Sequence, residues 1–204
     1  MAAETRTSRL SADEALQRLM DGNARFRRGE TRFPRMQKEI LGRLAETQSP
    51  YATILGCSDS RVPPELIFDA GLGDLFVVRV AGNVLSPEVS GSLQYAGAHL
   101  NTPLFVVLGH HGCGAVKAAL DTKLHGVQQR SRIQILVNDI LPGLSEIDPQ
   151  APPRVQLKRA VEANVRWTMR QIADSPEGKA AIADGRRKLV GAIYEIASGR
   201  VRFL

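Results

Sequence analysis

Three short apolar runs constrain this chain more than any other feature: residues 52–57 (ATILGC), 75–80 (LFVVRV) and 104–109 (LFVVLG). Each is apolar at consecutive positions and ends in a Gly-rich or polar turn, the pattern of strands buried on both faces of a parallel sheet. Helix-compatible segments lie around them, at residues 90–100 (SGSLQYAGAHL) and 115–120, so strand and helix alternate. That order predicts an α/β fold with a central, mainly parallel β-sheet flanked by helices. Farther on, residues 131–141 and 155–173 carry helical periodicity, separated by the Pro-rich connection LPGLSEIDPQAPP. The last apolar run, residues 189–196 (LVGAIYEI), precedes a turn at Ser198 and Gly199 and then VRFL, and reads as a late edge strand or hairpin.

Ahead of the strands, residues 11–29 place Ala15, Leu16, Leu19, Met20 and Phe26 near one helical face, with Ser11 and Glu14 spaced as a capping box. Such a face must be covered by the rest of the chain or by a partner. A chain of 204 residues with 43% apolar content is expected to form one domain, 1–204, with residues 1–48 as a helical arm and 49–204 as the α/β core. No run approaches the roughly 18 apolar residues of a membrane span, and the N-terminus lacks the apolar stretch of a secretory signal. The expectation is a cytoplasmic protein without a membrane partner.

The net charge of +6 raises the question of nucleic acid. Its arginines, however, are scattered (Arg25, Arg27, Arg28, Arg154, Arg159, Arg186 and Arg187), and aromatics are only 5% of the chain. Scattered charge without interleaved aromatics is a solvated surface, so no nucleic-acid partner is expected.

The two cysteines are more informative. Both follow strand runs, Cys57 within CSDSR and Cys113 within GHHGCG, and in open parallel sheets functional groups gather at those carboxyl ends. If the first strand stays extended through CSDSR, its period of two puts Cys57, Asp59 and Arg61 on one side. In the second segment, His110 and Cys113 are three residues apart and could meet at a helical first turn. Cys57, His110, Cys113 and one further position would suit tetrahedral zinc. Buried thiols beside a core histidine are the alternative. A dinucleotide-binding loop is excluded, because the GLG at residues 71–73 precedes a strand rather than following one.

CSDSRVPPELIF and VVLGHHGCGAV resemble the two signature segments of β-class carbonic anhydrases, and the likeness extends through GLGDLFVVRVAGN, GSLQYAGAHL, AVEANVRW and LVGAIYEIASGRVRFL. The resemblance implies zinc-dependent, reversible hydration of carbon dioxide to bicarbonate and a proton. It makes Cys57, His110 and Cys113 the metal ligands and Asp59 and Arg61 a catalytic dyad, in which Asp59 orients the attacking oxygen while Arg61 holds it. Released by Arg61, Asp59 becomes a fourth ligand to zinc. It further implies substrate contacts by Gln48, Phe76, Tyr95 and Gly114, with Tyr95 reaching across from a partner subunit. A homo-oligomer follows, a dimer or a dimer of dimers, with the N-terminal amphipathic helix packed on the partner subunit.

Two positions depart from relatives. Ile54 stands where members with an allosteric bicarbonate site carry tryptophan, although Arg79 and Val62 match that subgroup, so an open, constitutively active site is expected at neutral pH. His111 stands where many relatives have serine; it is either a proton shuttle or, more simply, an orienting or exposed side chain. His99 and His125 read as structural or exposed. The competing functions are a carbonyl sulfide or carbon disulfide hydrolase on the same fold, and a non-catalytic zinc-stabilised binding protein. The intact Asp59 and Arg61 argue against the latter, since a structural site needs closing ligands only.

Overall fold

The computed structural model describes residues 10–32, 38–185 and 187–204; Arg186, the first nine residues of the arm and residues 33–37 lie outside the described residues. In chain order the elements are α1 (Ala12–Arg28), α2 (Lys38–Glu46), β1 (Ala52–Gly56), α3 (Pro64–Ile67), β2 (Leu75–Arg79), α4 (Pro87–Ala98), β3 (Leu104–His110), α5 (Gly114–His125), α6 (Ser131–Ile140), α7 (Pro153–Asp174), α8 (Pro176–Ala183), β4 (Lys188–Glu195) and β5 (Arg200–Phe203).

The three apolar runs form β1, β2 and β3, and the sheet order is β2-β1-β3-β4-β5. The first four strands are parallel and β5 runs antiparallel to β4. All five residues of β1 are buried, whereas β2, at the sheet's edge, is only partly so. The terminal run forms the expected hairpin, but β4 is not its edge strand. It lies between β3 and β5 with Val190 to Tyr194 buried, because both neighbours pair with it and α7 covers it. The edge is β5.

In the parallel register Gly56 sits opposite Arg79 on one side and Leu108 on the other. The carboxyl ends of β1, β2 and β3 therefore come level, and the segments that leave them converge on one crevice.

Helix α1 forms as its sequence signals. Ser11 caps the Glu14 amide, the Glu14 side chain returns the bond to the Ser11 amide, and Gly29 ends the helix in the left-handed region. Its face packs on its own chain: Ala15 and Leu19 are fully buried and Leu16 and Phe26 lie against the core, but Met20 remains 45% exposed. Two less apolar residues take the buried positions instead. Gly22 packs so close to α3 that a Cβ there would stand 1.9 Å from the Phe68 carbonyl oxygen. Asn23 donates to the Ile67 and Gly199 carbonyls and accepts from the Val201 amide, tying the helix to α3 and β5.

Helix α8 had no periodic signal to betray it, since none of its residues is buried. It starts because Ser175 caps the Gly178 amide and Pro176 supplies a fixed φ in the first turn.

Candidate metal centre

The crevice at the ends of β1 and β3 is built by turns rather than by the strand and helix periods the sequence suggested. β1 stops at Gly56, and residues 60 and 61 already turn. Asp59 and Arg61 meet because the turn folds the backbone back on the carboxylate: the Arg61 amide donates to Asp59 Oδ1 at 3.0 Å and the Val62 amide to the Asp59 carbonyl at 3.1 Å. Past the sheet the carbonyls of Cys57 and Asp59 have no strand partner. Arg79, at the end of β2, takes both, with Nε 3.0 Å from the Cys57 oxygen and Nη2 2.6 Å from the Asp59 oxygen.

The second segment behaves likewise. His110 is the last residue of β3, Gly112 reverses the chain at φ 71°, and Cys113 is extended at φ −60°, ψ 120° as the residue before α5. His110 and Cys113 are thus brought together by a left-handed glycine, not by a helical turn.

The result is compact. The ligand atoms of Cys57, His110 and Cys113, all buried, lie within 4.8 Å of one another, and the two sulfurs are 3.9 Å apart. Two thiolates on one tetrahedral zinc at about 2.3 Å each would sit about 3.8 Å apart. A disulfide would need about 2.0 Å, and both cysteines are free. The imidazole is oriented for the same purpose. His110 Nδ1 lies 3.1 Å from the His111 carbonyl, which can only accept, so the proton sits on Nδ1 and Nε2 carries a lone pair. That Nε2 is buried without a hydrogen-bond partner, a costly arrangement in the absence of an electrophile. Two sulfurs and one imidazole nitrogen, convergent and with the nitrogen otherwise unused, fit zinc.

Electrostatics follow the geometry. The Cys113 thiol donates to the Cys57 sulfur and, against the cost of burial, draws the Cys57 pKa below the ordinary thiol range. The same bond, with burial, raises Cys113. Arg61 makes a forked contact with Asp59, Nε to Oδ1 at 2.9 Å and Nη2 to Oδ2 at 2.7 Å, which holds the carboxylate well below its usual range. Asp59 Oδ2 lies 3.9 Å from His110 Nε2, beside the crevice but engaged by Arg61. His111 is partly buried, which lowers its pKa; its contribution to orientation comes through its backbone carbonyl.

Gly114 opens α5 next to Cys113 and is exposed. The other residues singled out for substrate are elsewhere in the chain. Phe76 pairs with Thr53, four residues before Cys57 and so about 13 Å back along the strand. Tyr95, 46% exposed, stands 6.1 Å from the Phe76 ring and 5.0 Å from that of His99. Gln48 is exposed ahead of β1, at the opposite end of the strand from Cys57. Ile54 is buried at mid-strand, and Val62 is buried at the end of the turn that Asp59 begins. Sequence reasoning missed Gly82, whose amide donates to Cys57 Sγ at 3.4 Å; the AGN tripeptide after β2 was its only trace.

A family profile described as carbonic anhydrase matches residues 52–201. The carbonic anhydrase of Mycolicibacterium smegmatis is 40% identical over 191 residues, covering 90% of this chain and 88% of that protein. Carbonic anhydrase 2 of Mycobacterium tuberculosis H37Rv is 40% identical over 190 residues, covering 89% and 87%. Among solved structures, a tetrameric β-carbonic anhydrase of Sordaria macrospora superposes with a TM-score of 0.73 at 26% identity, covering 82% of this chain and 87% of that one. The Coccomyxa β-carbonic anhydrase, solved in complex with acetazolamide, gives a TM-score of 0.73 at 27% identity, with 82% and 78% covered.

Proposed function

The chain belongs to the β-class carbonic anhydrases, zinc enzymes that interconvert carbon dioxide and bicarbonate, and from that premise we propose the part each of its residues plays. The observation that carries the reading is the convergence of Cys57, His110 and Cys113 with one unpartnered imidazole nitrogen, beside a carboxylate locked by arginine.

Cys57 Sγ, His110 Nε2 and Cys113 Sγ hold the metal. Zinc bound there would supply a water of lowered pKa, and thus a nucleophile near neutral pH. Asp59, ionised, can only accept a hydrogen bond, so it would accept one from the attacking oxygen and hold a lone pair of that oxygen towards the carbon of carbon dioxide. Arg61 keeps Asp59 ionised and holds both of its oxygens beside the ligands rather than on the metal. The Gly114 amide, at the head of α5, donates to the oxygen that gains charge as bicarbonate forms. The released proton passes to buffer.

Gln48, Phe76 and Tyr95 complete the pocket as an amide donor and two apolar walls. Phe76 and Tyr95 cluster about a strand's length from the metal ligands of their own chain, so these walls come from a second copy. The working unit is a homo-oligomer, a dimer or a dimer of dimers, in which the helical arm of residues 1–48 also meets the partner and Met20 offers it apolar surface. Among the described residues no helix is long and apolar enough to cross a membrane, and we assign the enzyme to the cytoplasm.

Metal analysis together with a carbon dioxide hydration assay, on the wild type and on Asp59→Ala, tests this reading. Stoichiometric zinc in both proteins with hydration lost in the variant is expected. A wild type without stoichiometric zinc would overturn it.

A further inference from the structure

Besides Gln156 near its start, helix α7 buries the polar side chains of Asn164 and Thr168, each 1% exposed and one turn apart on one face. Both are engaged by a single short turn, Ala81–Asn83. Asn164 Nδ2 donates to the Gly82 carbonyl at 2.8 Å, and Thr168 Oγ1 donates to the Asn83 carbonyl at 3.2 Å. Asn83 in turn donates its amide to the Val80 carbonyl at 3.0 Å, and Val80 donates to the Gly56 carbonyl at 3.1 Å. The turn is therefore fastened to β1 on one side and to α7 on the other.

What the turn presents is the Gly82 amide, 3.4 Å from Cys57 Sγ. Gly82 sits at φ 72°, ψ 13°, a conformation strained for residues with a side chain, and a Cβ there would come within 2.8 Å of Ile140 Cδ1 and 3.1 Å of Ala115 Cβ. Glycine, however, has no intrinsic preference for that conformation. The direction of its N–H is only as fixed as the bonds to the carbonyls that follow it, and α7 supplies those.

We propose that Asn164 and Thr168 are positioning residues of the metal centre, holding the Ala81–Asn83 turn so that the Gly82 amide hydrogen-bonds the Cys57 sulfur. The inference rests on the reading of Cys57 as a zinc ligand. Two thiolates neutralise most of the ion's charge and weaken its pull on bound water relative to an all-imidazole site. An N–H donor on one sulfur withdraws part of the charge that sulfur would donate, which restores some of the pull.

Cobalt(II) in place of zinc reads this directly, because its d–d bands report coordination geometry while its thiolate charge-transfer band reports sulfur donor strength. The proteins to compare are wild type, Asn164→Leu, Thr168→Val and Thr168→Ser, each as the full chain with a native far-UV circular dichroism spectrum. Asn164→Leu and Thr168→Val should each bind one cobalt per chain, keep the d–d bands, and move the charge-transfer band to longer wavelength. Their zinc forms should lose roughly 10–100-fold in hydration kcat. Thr168→Ser keeps the hydroxyl and should keep the wild-type band. Should Asn164→Leu fail to fold, Thr168→Val against Thr168→Ser carries the comparison alone. A charge-transfer band unmoved in the folded variants, or moved as far in Thr168→Ser as in Thr168→Val, overturns the proposal and leaves the metal centre standing. A wild type that binds neither cobalt nor zinc overturns the metal centre itself, and this inference with it.

Discussion

Arg61 holds Asp59 through three hydrogen bonds, two from its guanidinium and one from its own backbone amide, so a single residue fixes both oxygens of the carboxylate. The backbone bond survives any substitution at position 61 except proline, whereas the forked pair needs arginine. The two contributions can be separated.

Replacing Arg61 with Ala should leave zinc bound and reduce kcat for carbon dioxide hydration by roughly 10–100-fold, as loss of a partner that orients a metal-site group does. Arg61→Lys should recover little, because an ammonium is a point charge without the planar fork. Stopped-flow hydration with parallel zinc analysis checks both. Full activity in Arg61→Lys would show that charge alone suffices at Asp59.

Chelation of the metal should abolish hydration and leave the fold. The three ligands sit at the carboxyl ends of β1 and β3, His110 as the last residue of β3 and the two cysteines just beyond the strands, while the sheet's centre is held by Ile54, Val106 and Val107, all essentially buried. After dialysis against dipicolinate the far-UV circular dichroism should be unchanged. The melting temperature should fall, since an ion that binds only the native state stabilises it by mass action. Added zinc should restore both activity and melting temperature, and loss of the dichroism signal on chelation would contradict the account.

Tyr51, just before β1, is buried beneath the Arg18 guanidinium, which stands 4.2 Å from its ring centroid. Burial pushes its pKa up to about 12 from the ordinary 10. The folded protein thus keeps this proton more tightly than the unfolded chain does. Its contribution to stability is complete below pH 10 and drains away as the pH rises towards 12. Tyr51→Phe removes that drain. In urea titrations the variant should gain on the wild type as pH passes 10, by roughly 1 kcal/mol at pH 11. A constant difference from pH 8 to pH 11 would contradict the assignment.

Gly22 sets two effects against each other. Within a helix, Gly→Ala gains about 1 kcal/mol from propensity alone. Here the new methyl would meet the Phe68 carbonyl oxygen at 1.9 Å, and forced overpacking of that kind costs typically 1–3 kcal/mol or more. Gly22→Ala should therefore destabilise the protein, as a lower urea midpoint at unchanged slope. A stabilised variant would mean that α1 is free to move off α3.

Consecutive burial made β1 and β3 legible in the sequence, because a strand covered on both faces has no polar positions to disguise it. The capping box of α1 was equally plain. Asn23 was hidden, since a side chain that completes three hydrogen bonds to distant backbone looks like any helix-surface asparagine until the fold supplies Ile67, Gly199 and Val201. At the metal centre the residue types were readable and the local geometry was not. Asp59 and Arg61 meet through a turn, and His110 and Cys113 through a left-handed glycine, where the sequence had suggested strand and helix periods. Arg79 and Gly82 went unassigned at the site because their bonds go to backbone or from backbone, and those carry no residue signature.

The parallel register of β1 against β3 has a kinetic side. Cys57 and Cys113 are 56 residues apart, so the three ligands can share one ion only once that long loop has closed and the two strands have paired. A slip of one residue would shift one ligand segment by about 3.3 Å and turn its side chains to the other face of the sheet. Completion of the three-ligand zinc site in a refolding chain is then a late event that reports correct strand pairing, and mispaired chains are left behind without it.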